Sequence, residues 1–241
     1  MFDWLKIINC TKYLIRSFAS RINKIHKIIL TLRATSGTYM LRIAIVLGST
    51  RPGRNGEAVA KWVYEIAKKR SSNDVEFEYV DIKDYNLPLL DEPIPPSMGK
   101  NYTKEHTKAW SAKIDSFDAF VFVTAEYNHG IPGALKNAID YLYQEWNNKA
   151  AGFVSYGGVG GVRAVEQLRL VMAEMQVATV RAQAALSLFT DFENFTKFKP
   201  APYQEQPVNT MLDQLIAWGG ALKTLRTKKS AEYSATAATA A

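Results

Sequence analysis

The sequence predicts an α/β fold, a doubly wound five-stranded parallel sheet in strand order 2-1-3-4-5 with helices on both faces. Apolar runs of strand length alternate with helical patterns from residue 40 onward, which favours parallel strands joined by right-handed crossover helices. The first and third runs are apolar almost throughout, as expected for strands that are buried on both faces. The second run alternates apolar and charged residues, so we expect that strand at an edge of the sheet.

The elements follow in order along the chain. A strand is assigned where a short run is apolar or alternating, and a helix where apolar residues recur every three or four positions. The five predicted strands are 41–47, 75–80, 119–123, 152–156 and 177–185. The five predicted helices are 58–70, 103–117, 132–146, 162–175 and 208–225. Four prolines between residues 83 and 101 predict a long irregular loop, and loops of that length in compact domains are usually functional.

The positive charge is concentrated at the amino terminus. The 241 residues carry a formal net charge of +7, of which residues 1–39 hold +6. The remainder is close to neutral and offers no basic surface of the kind that nucleic-acid binding needs. The single cysteine, Cys10, excludes an intrachain disulfide and a cysteine-based zinc site, and the three histidines form no metal-ligand pattern. We therefore expect neither nucleic acid nor a metal as a partner.

Residues 1–39 predict a basic amphipathic helix, with apolar side chains from Leu14 to Leu32 at spacings of three or four. Lys and Arg interrupt every apolar stretch, so none is long enough to span a bilayer. Such a segment is typical of a mitochondrial presequence, and the alternative is an upstream extension of a cytoplasmic protein. We divide the chain into this extension (1–39), one α/β domain (40–228) and a disordered tail (229–241).

Three loops of unusual composition follow strands one, three and four, and therefore emerge at the same edge of a parallel sheet. The first, 48–56, has three glycines, two hydroxyl side chains and two arginines ahead of a helix N-terminus, which suits a terminal phosphate. It lacks the lysine of a P-loop and the glycine spacing of a dinucleotide fold. The second, 126–130, brings an aromatic ring and an amide to the point where the strand order reverses, which suits a planar heterocycle. The third, 156–161, is rich in glycine, so its backbone can lie flat beside a ring.

Three segments together resemble the NADPH-dependent FMN reductase family, a flavodoxin-like group that includes quinone, azo-dye and chromate reductases. They are Gly-Ser-Thr-Arg-Pro-Gly-Arg at 48–54, Glu-Tyr-Asn-His-Gly-Ile-Pro-Gly-Ala-Leu-Lys-Asn-Ala-Ile-Asp-Tyr-Leu at 126–142, and Ser-Tyr-Gly-Gly-Val-Gly-Gly-Val-Arg-Ala at 155–164. The resemblance implies a flavodoxin-like fold, bound FMN, and NADPH or NADH as co-substrate. It also implies a homodimer or homotetramer with the flavin near the subunit interface.

The resemblance further implies which residues bind the cofactor. The first segment matches the family's phosphate loop, although some relatives have serine where Arg54 stands. The second matches the segment that borders the isoalloxazine ring, and Tyr156 and Gly157 match the loop along the pyrimidine side of that ring. The predicted cofactor-binding residues are Ser49, Arg51, Arg54, Asn55, Gly56, Glu126, Tyr127, Asn128, His129, Tyr156 and Gly157.

The function implied is an FMN-dependent NAD(P)H oxidoreductase that passes hydride through the flavin to quinones, free flavins or related acceptors, which include azo compounds and metal oxyanions. The flavin carries the chemistry, so no catalytic side chain is required. His129 is a candidate proton donor because histidine titrates near neutral pH, and a structural loop histidine is the alternative. The competing functions are a flavin-binding electron carrier or redox-sensing interaction protein with little turnover, and a nucleotide-binding domain without redox activity.

Overall fold

The computed structural model describes residues 40–239, with side chains as far as residue 226, so the amphipathic helix predicted within residues 1–39 lies outside the described residues. The sheet has five parallel strands in the order β2-β1-β3-β4-β5, which confirms the predicted fold class. The strands are β1 (Leu41–Leu47), β2 (Val75–Asp81), β3 (Ala119–Ala125), β4 (Lys149–Gly157) and β5 (Val177–Ser187). The helices are α1 (Gly56–Lys68), α2 (Glu105–Asp115), α3 (Gly133–Asp140), α4 (Val162–Glu174) and α5 (Glu205–Thr239).

Helices cover both faces of the sheet. Alternate residues of β1 point to opposite sides, so Ile43 and Ile45 pack in one core cluster with α1 and α5. Ala44 and Val46 pack in a second cluster with α2, α3 and α4. Because β1, β3 and β4 are buried along almost their whole length, their sequences are predominantly apolar. The two cores make the sheet a rigid support for the loops that leave its C-terminal edge.

Strand β2 forms one edge of the sheet, as its alternating pattern predicts. Val75 and Phe77 are buried against the first core. On the other face, Glu76 and Glu78 pair with Arg42 of β1 at 3.5 and 3.0 Å. Charged side chains along an edge strand disfavour pairing with the edge of another sheet.

Helix α3 ends at Asp140, so the predicted continuation of this helix to residue 146 is wrong. The indole of Trp110 donates to the carbonyl of Ala138 at 2.7 Å, and the indole of Trp146 donates to the carbonyl of Ile139 at 3.2 Å. The two tryptophans thus satisfy carbonyls that a longer helix would pair with its own N–H groups. The apolar period continues to Trp146 because the chain after α3 stays in the core.

The C-terminal part of the chain differs from the predicted pattern at two places. Helix α5 continues to Thr239, past the predicted end at residue 225 and through most of the predicted tail, whose disorder stays a prediction. After β5 the chain forms a hairpin, β6 (Phe192–Glu193) and β7 (Lys197–Phe198), that the sequence pattern did not indicate. Strands of two residues are too short to give a periodic signal.

The proline-rich segment after β2 is a long connection, as predicted, with two 3₁₀ turns at Ile82–Tyr85 and Pro96–Met98. The carboxylate of Glu92 accepts the backbone N–H groups of Thr103 and Lys104 at 2.9 and 3.0 Å, directly before α2. Burial raises the pKa of Glu92, but these hydrogen bonds outweigh it and lower the pKa to about 2. The loop is therefore fastened to α2 through an ionised carboxylate.

No helix among residues 40–239 combines the length and the apolar composition needed to cross a bilayer. In the same part of the chain, no group of three or more His, Cys, Asp or Glu side chains is arranged to hold a metal ion.

Candidate active site

The loops after β1, β3 and β4 converge at the C-terminal edge of the sheet. The hydroxyl of Tyr127, after β3, lies 3.0 Å from the Oγ of Ser49, after β1. The Nε of Arg51 donates to the same hydroxyl at 3.3 Å. The backbone N–H of Glu126 donates to the carbonyl of Tyr156, at the end of β4, at 3.2 Å. Residues from three strand ends therefore meet where the strand order reverses, the place at which open α/β sheets bind ligands.

The loop after β1 lies close to the sheet and leads directly into α1. The N–H of Gly48 donates to the carbonyl of Val123 at 2.9 Å, and a Cβ at Gly48 would lie 2.8 Å from the Leu135 side chain. Only glycine allows this approach. Asn55, the N-cap of α1, makes no side-chain capping hydrogen bond, so its side chain does not cover the first-turn N–H groups of the helix. This uncapped end, with its positive dipole, suits a phosphate.

Two residues predicted to bind the phosphate are engaged elsewhere. The guanidinium of Arg54 forms a forked ion pair with Asp81 at the end of β2 and also donates to the carbonyl of Ser49. This pair is nearly buried, with 8% and 11% of the two side chains exposed. The amide of Asn55 donates to the carbonyl of Phe195 in the β6–β7 hairpin at 2.8 Å. Both side chains therefore brace the loop, and the exposed Arg51 is the arginine that faces the neighbouring loops.

Tyr156 carries a buried hydroxyl whose proton has no acceptor among the described residues. This hydroxyl lies at the N-terminus of α1, because a Cβ at Gly56 would be only 2.5 Å from it. Burial raises the pKa of Tyr156 above the ordinary value, so the hydroxyl stays protonated at neutral pH. The resemblance assigns Tyr156 to the pyrimidine side of the flavin, and in the structure its hydroxyl lies against Gly56 at the start of α1. A buried donor without an acceptor at this position indicates a ligand oxygen.

The loop after β3 is a tight turn. Tyr127 and Gly130 exchange both backbone hydrogen bonds, at 2.9 and 3.0 Å. The two residues between them, Asn128 and His129, both have positive φ, at 51° and 68°, as in a type I′ turn. Both side chains are exposed at the edge of the site. The turn thus presents an amide and an imidazole to a ligand, and the proton-donor role of His129 stays a hypothesis.

Glu126 reaches away from the loop edge and caps the next helix. Its carboxylate accepts the backbone N–H groups of Arg163 and Ala164 at 3.0 and 3.3 Å, in the first turn of α4. The Arg163 guanidinium pairs with it as well. Burial raises the pKa of Glu126, but these partners outweigh it, so the pKa lies below its ordinary value of 4.5. The side chain fixes the entry to α4, and its backbone is the part that faces the site.

The glycine-rich loop after β4 is packed against the sheet. Gly160 and Gly161 have φ of 77° and 71°, and a Cβ on either would lie 2.9 Å from a neighbouring Cβ. The hydroxyl of Ser155 donates to the carbonyl of Gly160 at 2.6 Å. At Gly157 a Cβ would meet the Glu126 side chain at 3.4 Å. The loop therefore needs glycine at positions 160 and 161 for this close packing.

A cleft of about 210 Å³ adjoins this site on the side of the proline-rich loop. Its lining residues are Thr50, Ile82, Lys83, Asn86, Leu87, Ala134, Asn137 and Ala138. The amide of Asn137 accepts the N–H of Leu90 at 3.0 Å and donates to the carbonyl of Pro88 at 2.6 Å, so α3 holds the loop in place. None of the predicted cofactor-binding residues lines this cleft.

Sequence reasoning missed Asp81, Arg163 and Asn137, each of which holds a predicted loop in position. Asp81 carries a usable signal, since it stands at the end of β2 and the carboxyl ends of parallel strands share one edge. Arg163 and Asn137 lie within the quoted segments but have no pattern that distinguishes them from surface residues.

A model of the NADPH-dependent FMN reductase family matches residues 41–191, which include all three loops. The chain belongs to this family. An NAD(P)H-dependent FMN reductase, ntnL from Nectria sp., is 46% identical over 159 residues, covering 63% of this chain and 79% of the relative. A quinone reductase from Pseudomonas putida is 32% identical over 192 residues, covering 73% of this chain and 93% of the relative.

The fold is also similar to that of a solved family structure. The flavoenzyme NAD(P)H:(acceptor) oxidoreductase FerB from Paracoccus denitrificans superposes with a TM-score of 0.57 at 21% identity. The similarity covers 73% of this chain and 97% of FerB. At that identity the superposition supports the flavodoxin-like fold of this FMN reductase family member.

Proposed function

We propose that this protein is an FMN-dependent NAD(P)H oxidoreductase that reduces quinones. The observation that supports this most is the family match over residues 41–191, because it spans the three loops that meet at the sheet edge. The two relatives described above, which match this chain over 79% and 93% of their own length, are named FMN reductase and quinone reductase. When bound, FMN accepts hydride from a reduced nicotinamide and delivers it to the acceptor.

The described residues fit the phosphate of FMN. The uncapped N-terminus of α1 offers backbone N–H groups, and the Tyr156 hydroxyl beside it has no acceptor for its proton among the described residues. Ser49 and Arg51 lie on the same loop and contact Tyr127, so they are placed to hold the phosphate and to link it to the ring site. Arg54 is a positioning residue that holds the loop after β1 in place, because its guanidinium is paired with the Asp81 carboxylate.

The turn after β3 and the glycine-rich loop after β4 fit the two sides of a planar ring. Tyr127 contributes an aromatic face, and the left-handed backbone of Asn128 and His129 leaves peptide groups at the turn exposed. The glycine-rich loop brings backbone close without a Cβ in the way. These residues orient the ring and exclude water from one of its sides.

The finer assignments belong to the same proposal. Quinones are the acceptors that the names of the relatives support, and free flavins, azo compounds and metal oxyanions extend the class by the same hydride chemistry. We propose a homodimer or homotetramer, which light scattering of the purified protein measures directly. We propose a cytoplasmic protein, with a mitochondrial location if residues 1–39 act as a presequence.

A spectroscopic experiment tests the function. Protein purified after expression is expected to be yellow, with absorption at about 370 and 450 nm from oxidised flavin. Anaerobic addition of NADPH or NADH is expected to bleach the 450 nm band within seconds, and a soluble quinone is expected to restore it. Catalytic turnover with that quinone separates an enzyme from an electron carrier, for which bleaching occurs without sustained turnover. Colourless protein that does not bind added FMN would contradict the proposal.

A further inference from the structure

Two exposed phenylalanines stand at the rim of the site, beyond the glycine-rich loop. Phe189 follows β5 and Phe195 lies at the tip of the β6–β7 hairpin, with 71% and 54% of their surfaces exposed. Their ring centroids are 5.4 Å apart and the rings are perpendicular. Neither ring belongs to either core cluster. This aromatic pair is therefore not explained by the folding of the domain.

Phe195 also has a left-handed backbone conformation, which is unusual for an aromatic residue. Asn194 and Phe195 have φ of 51° and 60°, and the N–H of Thr196 donates to the carbonyl of Glu193, as in a type I′ turn. The second of these positions favours glycine, because a left-handed backbone strains a bulky residue. Phe195 is thus exposed and also occupies a backbone conformation in which the turn favours glycine.

The aromatic pair is also held at a fixed place relative to the site. The amide of Asn55, at the N-cap of α1, donates to the carbonyl of Phe195 at 2.8 Å. A Cβ at Gly158 would lie 3.9 Å from the Phe189 ring. The buried carboxylate of Asp191 accepts the N–H of Ser187 at 2.9 Å and so fixes the turn that carries Phe189. The hairpin is thus joined to the loop after β1, and the turn that carries Phe189 lies against the glycine-rich loop.

We propose that Phe189 and Phe195 form a stacking platform for the adenine base of NAD(P)H. This inference rests on the proposed function, which requires the nicotinamide to reach a flavin held by the loops after β1, β3 and β4. A reduced dinucleotide carries a second planar group, the adenine, in addition to its nicotinamide, whereas a simple quinone has none. Planar bases stack on exposed aromatic rings whatever their hydrogen-bonding groups. The pair therefore contributes to donor affinity and not to the acceptor or the hydride step.

The test compares a full donor with a truncated one. In Phe195→Gly and in Phe189→Ala, we expect the KM for NADPH and NADH to rise about tenfold. A tenfold rise corresponds to about 1.4 kcal/mol, the size expected for the loss of one base–ring stack. Reduced nicotinamide mononucleotide lacks adenine, so its KM is expected to change less than twofold, as is the KM for the quinone. A readout without turnover is the Kd of tetrahydro-NADP, a non-reactive analogue, by titration calorimetry, which is expected to rise in parallel.

Two controls separate this role from a structural one. Leu170→Ala removes an exposed apolar side chain from α4 and is expected to leave every constant unchanged. Phe195→Gly suits the positive φ, so its melting temperature is expected to be equal to or above that of the wild type.

Three results would overturn the platform. They are an unchanged KM for NADPH, an equal rise with the truncated donor, or a change of oligomeric state in the variants with unaltered donor affinity. Failure of the proposed function looks different, because the wild type would then oxidise neither donor.

Discussion

Arg54 carries its charge at the sheet edge where a phosphate fits, yet its guanidinium already has a carboxylate partner. The carboxylate of Asp81 accepts two hydrogen bonds from the guanidinium of Arg54, and the carbonyl of Ser49 accepts a third. A buried pair of this kind stabilises little compared with an apolar pair, but breaking it leaves one charge buried without a partner. We therefore interpret Arg54 as a brace that sets the shape of the loop through Asp81.

A double-mutant cycle tests this brace. Arg54→Met and Asp81→Asn are each expected to lower the free energy of unfolding by about 3 kcal/mol, and the double variant by clearly less than the sum. Both single variants are expected to weaken FMN binding to the same extent, since both release the same loop. Urea unfolding of the apoprotein and FMN fluorescence titration measure the two quantities.

Arg51→Met is the matched control for the cycle. Its guanidinium is exposed and contacts Tyr127, so we expect a stability change within about 0.5 kcal/mol together with weaker FMN binding. If Arg54→Met weakened FMN binding far more than Asp81→Asn did, Arg54 would contact the phosphate directly and the brace would be refuted.

At the residue scale, the sequence predicts which loops meet but not where each side chain points. Ser49, Arg51 and Tyr127 do come together, because parallel strands bring their loops to one edge. Arg54 and Asn55 turn away, because each finds a partner from a distant part of the chain, at Asp81 and Phe195. Such long-range pairs leave no local periodic signal.

At the scale of elements, boundaries depend on partners outside the element. Helix α3 ends at Asp140, where two indoles donate to the carbonyls of Ala138 and Ile139, although the apolar period predicts a longer helix. Strand β2 is the opposite case, since its own alternation of apolar and charged residues places it at the edge. Helix α4 begins where Glu126, 37 residues earlier, caps its first turn.

The cap on α4 gives a prediction about pH. Glu126→Gln is expected to lower the free energy of unfolding by about 1–2 kcal/mol at pH 7, because it removes a charged acceptor at a helix N-terminus. The pKa of Glu126 is lower in the folded chain than its ordinary value of 4.5, so its contribution is fully present above that pH. It is lost as the pH falls through the folded-state pKa. Urea unfolding of both proteins from pH 7 down to about pH 3 measures the difference.

Glu166→Gln provides the comparison on the same helix. Its carboxylate is largely exposed and pairs only loosely with Arg169, at 3.6 Å, so we expect a change within about 0.5 kcal/mol. An equal effect of the two substitutions, or a Glu126 effect that grows on acidification, would contradict the capping role.

At the scale of the whole molecule, the fold is predictable because apolar patterning determines which strands are buried on both faces. The same patterning leaves the β6–β7 hairpin undetected, although this hairpin carries Phe195 and the turn just before it carries Phe189. The core thus specifies the sheet order, while short elements outside it shape the rim of the site. Because loops from β1, β3 and β4 would all contact FMN, the cofactor ties together strands that lie far apart in sequence.

Binding of FMN is therefore expected to stabilise the domain as a unit. At 100 times its Kd, a ligand that binds only the folded state raises the free energy of unfolding by about 2.7 kcal/mol. In Tyr156→Phe we expect an FMN Kd about tenfold higher, so the gain at the same concentration falls by about 1.4 kcal/mol. The apoprotein should lose no stability, because the hydroxyl that is removed is buried with no acceptor for its proton among the described residues.

Thermal unfolding over a range of FMN concentrations measures both effects in one experiment. Tyr143→Phe is the matched control, since its hydroxyl donates to the carbonyl of Glu174 at the opposite edge of the sheet and should leave the FMN-dependent gain intact. If the Tyr156 variant showed the same gain as the wild type, its hydroxyl would have no role at the phosphate. If instead the apoprotein were destabilised, the hydroxyl would have a partner within the protein, and the phosphate end of the site would rest on α1, Ser49 and Arg51 alone.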